Sequence, residues 1–153
     1  MAEHLDGLPR IDTEKLTEEE WYERGLEMGL EINGPVFLRI LEDLKKIDAL
    51  LAHSLVEYAY GQTYARPATD LKTKELCTVA ALTAMDFPDQ LKTHVFGSLN
   101  AGATRDEVKE VIIHMHLLCG WPACIKALRI YQEAIEHLDE KRRMAEQTRE
   151  DNE

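Results

Sequence analysis

An all-helical fold is predicted by three features of the sequence. Apolar residues recur at three- and four-residue spacing through most of the chain, no stretch sustains the alternation of a half-buried strand, and capping signals punctuate the periodic segments. Thr17 followed by Glu20 forms a capping-box pattern that opens a helix to about Ile32, and Gly34-Pro35 ends it. A second helical stretch runs from about Val36 to Tyr58, carries Phe37, Ile40, Leu41, Leu44, Ile47, Leu50, Leu51 and Leu55, and is expected to break near Lys46 to Asp48. The segment YGQTYARPATD, Tyr60 to Asp70, has a Gly, a Pro and no helical period, so it is expected to be an irregular connection. Asp70 is placed to cap a helix from Leu71 to about Met85. Asp86 with Pro88 restarts the chain as a helix to Asn100, and Gly102 supplies a left-handed stop. Thr104 with Glu107 is a second capping box, opening a helix to about Leu118. Gly120-Trp121-Pro122 then begins the last helix, with Ile125, Leu128, Ile130, Tyr131, Ile135 and Leu138 on its apolar side. From Asp139 onward the chain is almost wholly polar, a solvated helix end fraying into a tail. No internal repeat stands out.

The length of 153 residues and mass of 17.5 kDa fit one domain able to bury a core without disulfide or structural metal. Three parts are expected: residues 1–34 with one helix, a helical domain over 35–138, and a polar tail over 139–153. With 18 Lys plus Arg against 29 Asp plus Glu, the net charge of −11 repels a phosphate backbone, which disfavours nucleic-acid binding. The 44 % hydrophobic content argues against disorder. Cys77, Cys119 and Cys124 make no zinc pattern, and the last two are too far apart for a C-x-x-C redox motif. The first 20 residues have neither a basic start nor an apolar run, and no stretch approaches a membrane span, so a cytoplasmic location is expected.

Candidate functional residues are those that break the pattern of their own helix. Glu75 lies in the apolar stripe marked by Leu71, Val79 and Leu82, where a carboxylate needs a partner. His94 lies between Leu91 and Val95 on the next helix. Two helices joined by a tight turn pack antiparallel, which lets Glu75 and His94 face each other as a carboxylate–imidazole proton-transfer pair. The competing readings are a glutamate that reaches solvent at the stripe's edge and a histidine satisfied inside the core. His114 and His116 are two apart and point to different sides, so at most one joins a given pocket. No H-x-x-x-H or E-x-x-H pairing accompanies these groups, and no metal is expected there. Tyr60, Tyr64 and Arg66 suit an anionic substrate, with Arg66 as a carboxylate clamp.

From Tyr60 to Leu128 the chain resembles the carboxymuconolactone decarboxylase family, which also includes alkyl hydroperoxidase D. The resemblance rests on YGQTYARP, on LKTH with the following NAGATRDEVKEV, and on CGWPA. It implies an all-α, alkyl hydroperoxidase D-like helical bundle that assembles as a homo-oligomer, a trimer or hexamer. In the hydroperoxidase branch a glutamate and a histidine relay protons to a C-x-x-C pair. Glu75 and His94 match the first two, but Phe87 and Gln90 stand at the cysteine positions, which removes the thiol nucleophile. In the decarboxylase branch a W-G-x-x-W-x-R-P loop is matched with Tyr60 and Tyr64 for the tryptophans and Arg66-Pro67 retained. Glu75 stands where decarboxylases of the protocatechuate pathway have serine, and His114 where members carry glutamine or histidine.

The resemblance therefore implies a cofactor-independent decarboxylase-like enzyme acting on a small carboxylated lactone or a related aromatic-degradation intermediate. His94 is expected as general acid or base and Glu75 as its orienting or proton-sharing partner. Arg66 is expected to clamp the substrate carboxylate, with Tyr60 and Tyr64 beside it and His114 as a second proton carrier. Two rivals are a thiol-dependent antioxidant protein using Cys77, Cys119 or Cys124, and a non-catalytic helical assembly. No cofactor, metal, nucleic acid or membrane enters the expectation; the partners are a small carboxylate and further copies of the chain.

Overall fold

The computed structural model describes residues 16–150, and among them there are seven α-helices, one π-helical segment and no strand. Helix α1, Glu18–Asn33, opens on Thr17, whose hydroxyl accepts from the Glu20 amide while Glu20 reaches back to the Thr17 amide. Helix α2, Val36–Ile47, stops at Asp48, which is extended (φ −158°, ψ 119°) and caps α3, Ala49–Ser54, through a 2.8 Å bond from the Leu51 amide. Helices α4, Leu71–Met85, and α5, Pro88–Asn100, form a tight hairpin around Asp86, which adopts the left-handed conformation (φ 60°). Helix α6, Arg105–His114, carries the expected Thr104–Glu107 capping box. Helix α7, His116–Glu150, is interrupted at Gly120 (φ 81°) and then runs unbroken, so residues 140–150 are helical and exposed. Expectations for residues 1–15, including the character of the first segment, and for the last three residues of the tail lie outside the described residues.

Two expectations are corrected. Tyr60 to Asp70 is not wholly irregular: residues Leu55–Tyr64 form a π-helix that continues α3, closed by a 3.0 Å bond from the Ala65 amide to the Tyr60 carbonyl. The wider turn of i→i+5 bonding carries no three-to-four-residue signature, so a reading tuned to 3.6 residues per turn sees a loop. Helix α6 also ends at His114 rather than Leu118. The His116 Nδ1–H donates to the Ile113 carbonyl at 2.6 Å and satisfies an end group there, and the chain turns through Met115 so that α6 and α7 meet at 118°.

The main core is shared by α4 to α7 and contains Val79, Leu91, Val95, Val108, Ile112, Cys124, Ala127 and Ala134. Arg105 forks onto Asp139, and the Tyr131 hydroxyl donates to the Arg105 carbonyl at 2.9 Å, which pins α7 to the start of α6. A second layer is built by α1 crossing the π-helix at backbone distance. A Cβ on Gly25 would lie 2.0 Å from the Val56 carbonyl oxygen, and one on Gly61 would lie 2.2 Å from that of Trp21. Glycine at both positions lets this crossing form, and it buries Ile32, Phe37 and Val56 completely. Each such side chain contributes about 1.5–3 kcal/mol. Among the described residues no single helix is long and apolar enough to cross a membrane.

Candidate active site

Helix α4 carries Glu75 into the space between itself and α5, and its side chain is fully buried. Its Oε2 lies 2.9 Å from Nδ1 of His94, which α5 presents with 19 % of its side chain exposed. This bond commits Nδ1 and leaves Nε2 as the ring nitrogen free to exchange a proton. Room for the carboxylate comes from Gly97, one turn beyond His94 on α5. A Cβ there would lie 2.5 Å from Glu75 Oε2 and 2.8 Å from the Ile32 side chain. The other oxygen, Oε1, is buried without a hydrogen-bond partner. An unpaired buried acceptor costs about 1–3 kcal/mol, more when charged, and such groups in native structures call for an explanation such as a catalytic role.

The π-helix supplies Tyr60 and Tyr64, four residues apart, with rings stacked at 5.5 Å. The Tyr64 hydroxyl lies 2.8 Å from Thr78 Oγ1, which also reaches the Lys74 carbonyl at 3.0 Å, and it interacts with the Glu75 carboxylate as well. Tyr60 accepts at 3.0 Å from Asn33 Nδ2, which leaves its own proton for another acceptor. Burial pushes both phenols above their ordinary range, and the Glu75 charge pushes in the same direction. Both tyrosines therefore stay protonated donors across neutral pH.

Arg66 is exposed just beyond the π-helix. Its backbone carbonyl, like that of Tyr64, accepts from Lys74 Nζ, while Arg24 donates to the carbonyl of Ala65 at 2.7 Å. Three cations thus gather where the π-helix ends, and burial together with the Arg66 charge lowers the Lys74 pKa. A cavity of about 340 Å³ lined by Thr63, Tyr64, Thr69, Lys74, Cys77 and Thr78 opens on this side. His114 is exposed at the end of α6 and makes no hydrogen bond to Glu75 or His94. The cysteines are all free, with Cys77 exposed and Cys124 buried, where burial raises its pKa.

The structure thus brings together Glu75 and His94, with Tyr60 and Tyr64 stacked where the Glu75 charge is felt, and leaves Arg66 and His114 exposed. Sequence reasoning did not single out Asn33, Lys74, Thr78 or Gly97. For Gly97 a signal was present: a glycine inside a helix, one turn from an isolated histidine, marks a close approach.

Comparison with known proteins adds a second line of observation. The model of the carboxymuconolactone decarboxylase family matches residues 49–133. A 4-carboxymuconolactone decarboxylase of Acinetobacter baylyi is 32 % identical over 124 residues, covering 80 % of this chain and 92 % of that protein. A nitrosuccinic acid decarboxylase of Metarhizium robertsii is 31 % identical over 87 residues, or 57 % of this chain and 61 % of that one. An uncharacterised 15.0 kDa protein of Paracoccus denitrificans is 32 % identical over 126 residues, covering 80 % of this chain and 93 % of its own.

Proposed function

The chain belongs to the carboxymuconolactone decarboxylase family, and from that premise we propose that it is a cofactor-independent decarboxylase acting by acid–base chemistry on a small carboxylated lactone or a related carboxylate. The observation that carries this reading is the 2.9 Å bond from fully buried Glu75 to His94, which fixes the ring and frees Nε2. In the proposed step the carbon–carboxylate bond breaks and its electron pair passes into the substrate's conjugated system as an enolate, while carbon dioxide leaves. His94 delivers a proton from Nε2 to the carbon and recovers one from solvent. Glu75 holds the imidazolium while it exists, and the uncommitted Tyr60 proton is a donor for the enolate oxygen. Arg66, exposed just beyond the π-helix, draws in the substrate carboxylate.

Two named relatives are decarboxylases of carboxylic acids, which supports the substrate class, whereas the lactone itself is part of the proposal. The same reading includes a homo-oligomer, supported by apolar surface at the α6–α7 corner, where Leu117, Leu118 and Trp121 are exposed. No observation on the three free cysteines favours a thiol peroxidase. The test is carbon dioxide release from a panel of carboxylated lactones by the full chain and by His94→Gln. The reading requires turnover that the variant loses while its circular dichroism is unchanged. Turnover retained by the variant overturns the role of His94, and failure of the variant to fold assigns the histidine to the core instead.

A further inference from the structure

A second histidine–glutamate cluster lies away from Glu75 and His94, and it is spaced differently. His53, in the last turn of α3, places Nε2 at 3.3 Å from Glu18 Oε1 and 3.5 Å from Glu57 Oε2. Glu57 is one turn on in the π-helix, and Glu18 comes from the first turn of α1. One ligand atom from each residue can be chosen so that all three lie within 4.8 Å of one another. The Nε2 atom is shielded from solvent, although the His53 side chain is 38 % exposed, and it faces both carboxylates at ion-pair distance without a hydrogen bond to either. The Tyr22 ring stacks on the imidazole at 4.7 Å and 15° and holds its orientation.

The geometry points to a divalent transition-metal site of the zinc class formed by Glu18, His53 and Glu57. Ligands about 2.0–2.1 Å from a tetrahedral zinc ion lie about 3.3–3.5 Å from one another, the spacing that separates Nε2 from the two oxygens. The buried nitrogen without a hydrogen-bond partner is a metal donor lone pair, or a proton to be lost on binding. The carboxylates supply two negative charges for the cation, and one imidazole with carboxylates suits zinc, cobalt or manganese rather than calcium. Three protein ligands leave a position for water, and a cavity of about 340 Å³ bordered by Glu18, Glu19, Tyr22 and His53 gives it access. The bound ion ties the start of α1 to the junction of α3 and the π-helix. None of these residues takes part in the proposed decarboxylation, so the two ideas stand or fall separately.

The test uses the full chain, stripped with a chelator and titrated with zinc chloride in a non-coordinating buffer. Cobalt(II) serves as the spectroscopic probe. The expected result is one saturable site per chain, whose cobalt form shows the visible bands of a four-coordinate ion and no thiolate band in the near ultraviolet. His53→Gln is expected to weaken zinc binding at least 30-fold and Glu57→Gln about tenfold, while His94→Gln leaves it unchanged. Glu18→Gln, whose side chain is 76 % exposed and whose loss does not threaten folding, gives the same direction if His53→Gln proves unstable. Absence of saturable binding overturns the proposal. So does binding that survives Glu18→Gln and Glu57→Gln at full strength, or a cobalt spectrum dominated by thiolate.

Discussion

Glu75–His94 and the Glu18–His53–Glu57 group use the same side-chain types at nearly the same separation, and they differ in burial and aim. In the first, a fully buried carboxylate oxygen meets the ring nitrogen at 2.9 Å as a hydrogen bond. In the second, two carboxylates flank a nitrogen at ion-pair distances of 3.3 and 3.5 Å without a hydrogen bond to it. A few tenths of an ångström and the direction of a lone pair separate the pair proposed to pass a proton from the set proposed to hold a cation. The source of each carboxylate follows the same division. Glu75 is carried by a core hairpin whose position is fixed on all sides, whereas Glu18 is 76 % exposed at a helix start and adjusts at little cost.

The largest effect that distinguishes the two clusters is on turnover. His94→Gln is expected to reduce kcat by about 10²–10⁴-fold, the usual worth of a positioned general acid or base, as measured by carbon dioxide release. Glu75→Gln keeps a hydrogen-bond acceptor beside the ring but removes the charge that holds an imidazolium. A loss in kcat of about tenfold or more is expected. Its melting temperature is expected to stay level or rise, because a buried charge with one unpaired oxygen disappears. A large fall in melting temperature would make the pair structural, and the contrast with the exposed cluster would vanish. Gly97→Ala drives a methyl into the Glu75 carboxylate and is expected to destabilise the fold by about 1–3 kcal/mol while shifting the His94 ring resonances in NMR.

The smallest effect concerns Tyr64. Its folded pKa is raised above the unfolded value of 10.0, so the fold favours the protonated phenol. That contribution is complete below about pH 10 and is lost as pH rises through the higher folded value. Melting midpoints of the wild type are therefore expected to fall more steeply above pH 10 than those of Tyr64→Phe. Absorbance at about 295 nm is expected to show one fewer late-titrating phenol in the variant. Equal slopes would mean that Tyr64 is neither buried nor close to the Glu75 charge.

What was legible in the sequence follows from locality. Thr17, Asp70 and Thr104 announce their helices because a cap is a contact between residues three apart. Glu75 was visible because a carboxylate inside an apolar stripe contradicts its surroundings. The helical layout of Tyr60 and Tyr64 was not, since a π-helix lacks the period by which helices are recognised. The Asn33–Tyr60 bond and the approach of Glu18 to His53 span 27 and 35 positions and depend on the α1 crossing, which no local pattern encodes. Arg66 was expected to act through its guanidinium as a carboxylate clamp, yet in this fold its carbonyl makes the described hydrogen bond.

The π-helix has an evolutionary corollary. An i→i+5 turn is an α-helical turn that has gained a residue, so the segment Leu55–Tyr64 behaves as a short insertion. Deleting one residue between Tyr60 and Tyr64 would shorten this wide-turned segment and rotate everything after the deletion by about 100°. Tyr60 would keep its bond to Asn33, while Tyr64 would swing off its stack and away from Thr78. The second tyrosine's place beside the proton-transfer pair is thus set by the length of the chain as much as by the identity of the residue. Homologues one residue shorter in this segment are expected to build that wall of the pocket from a different side chain.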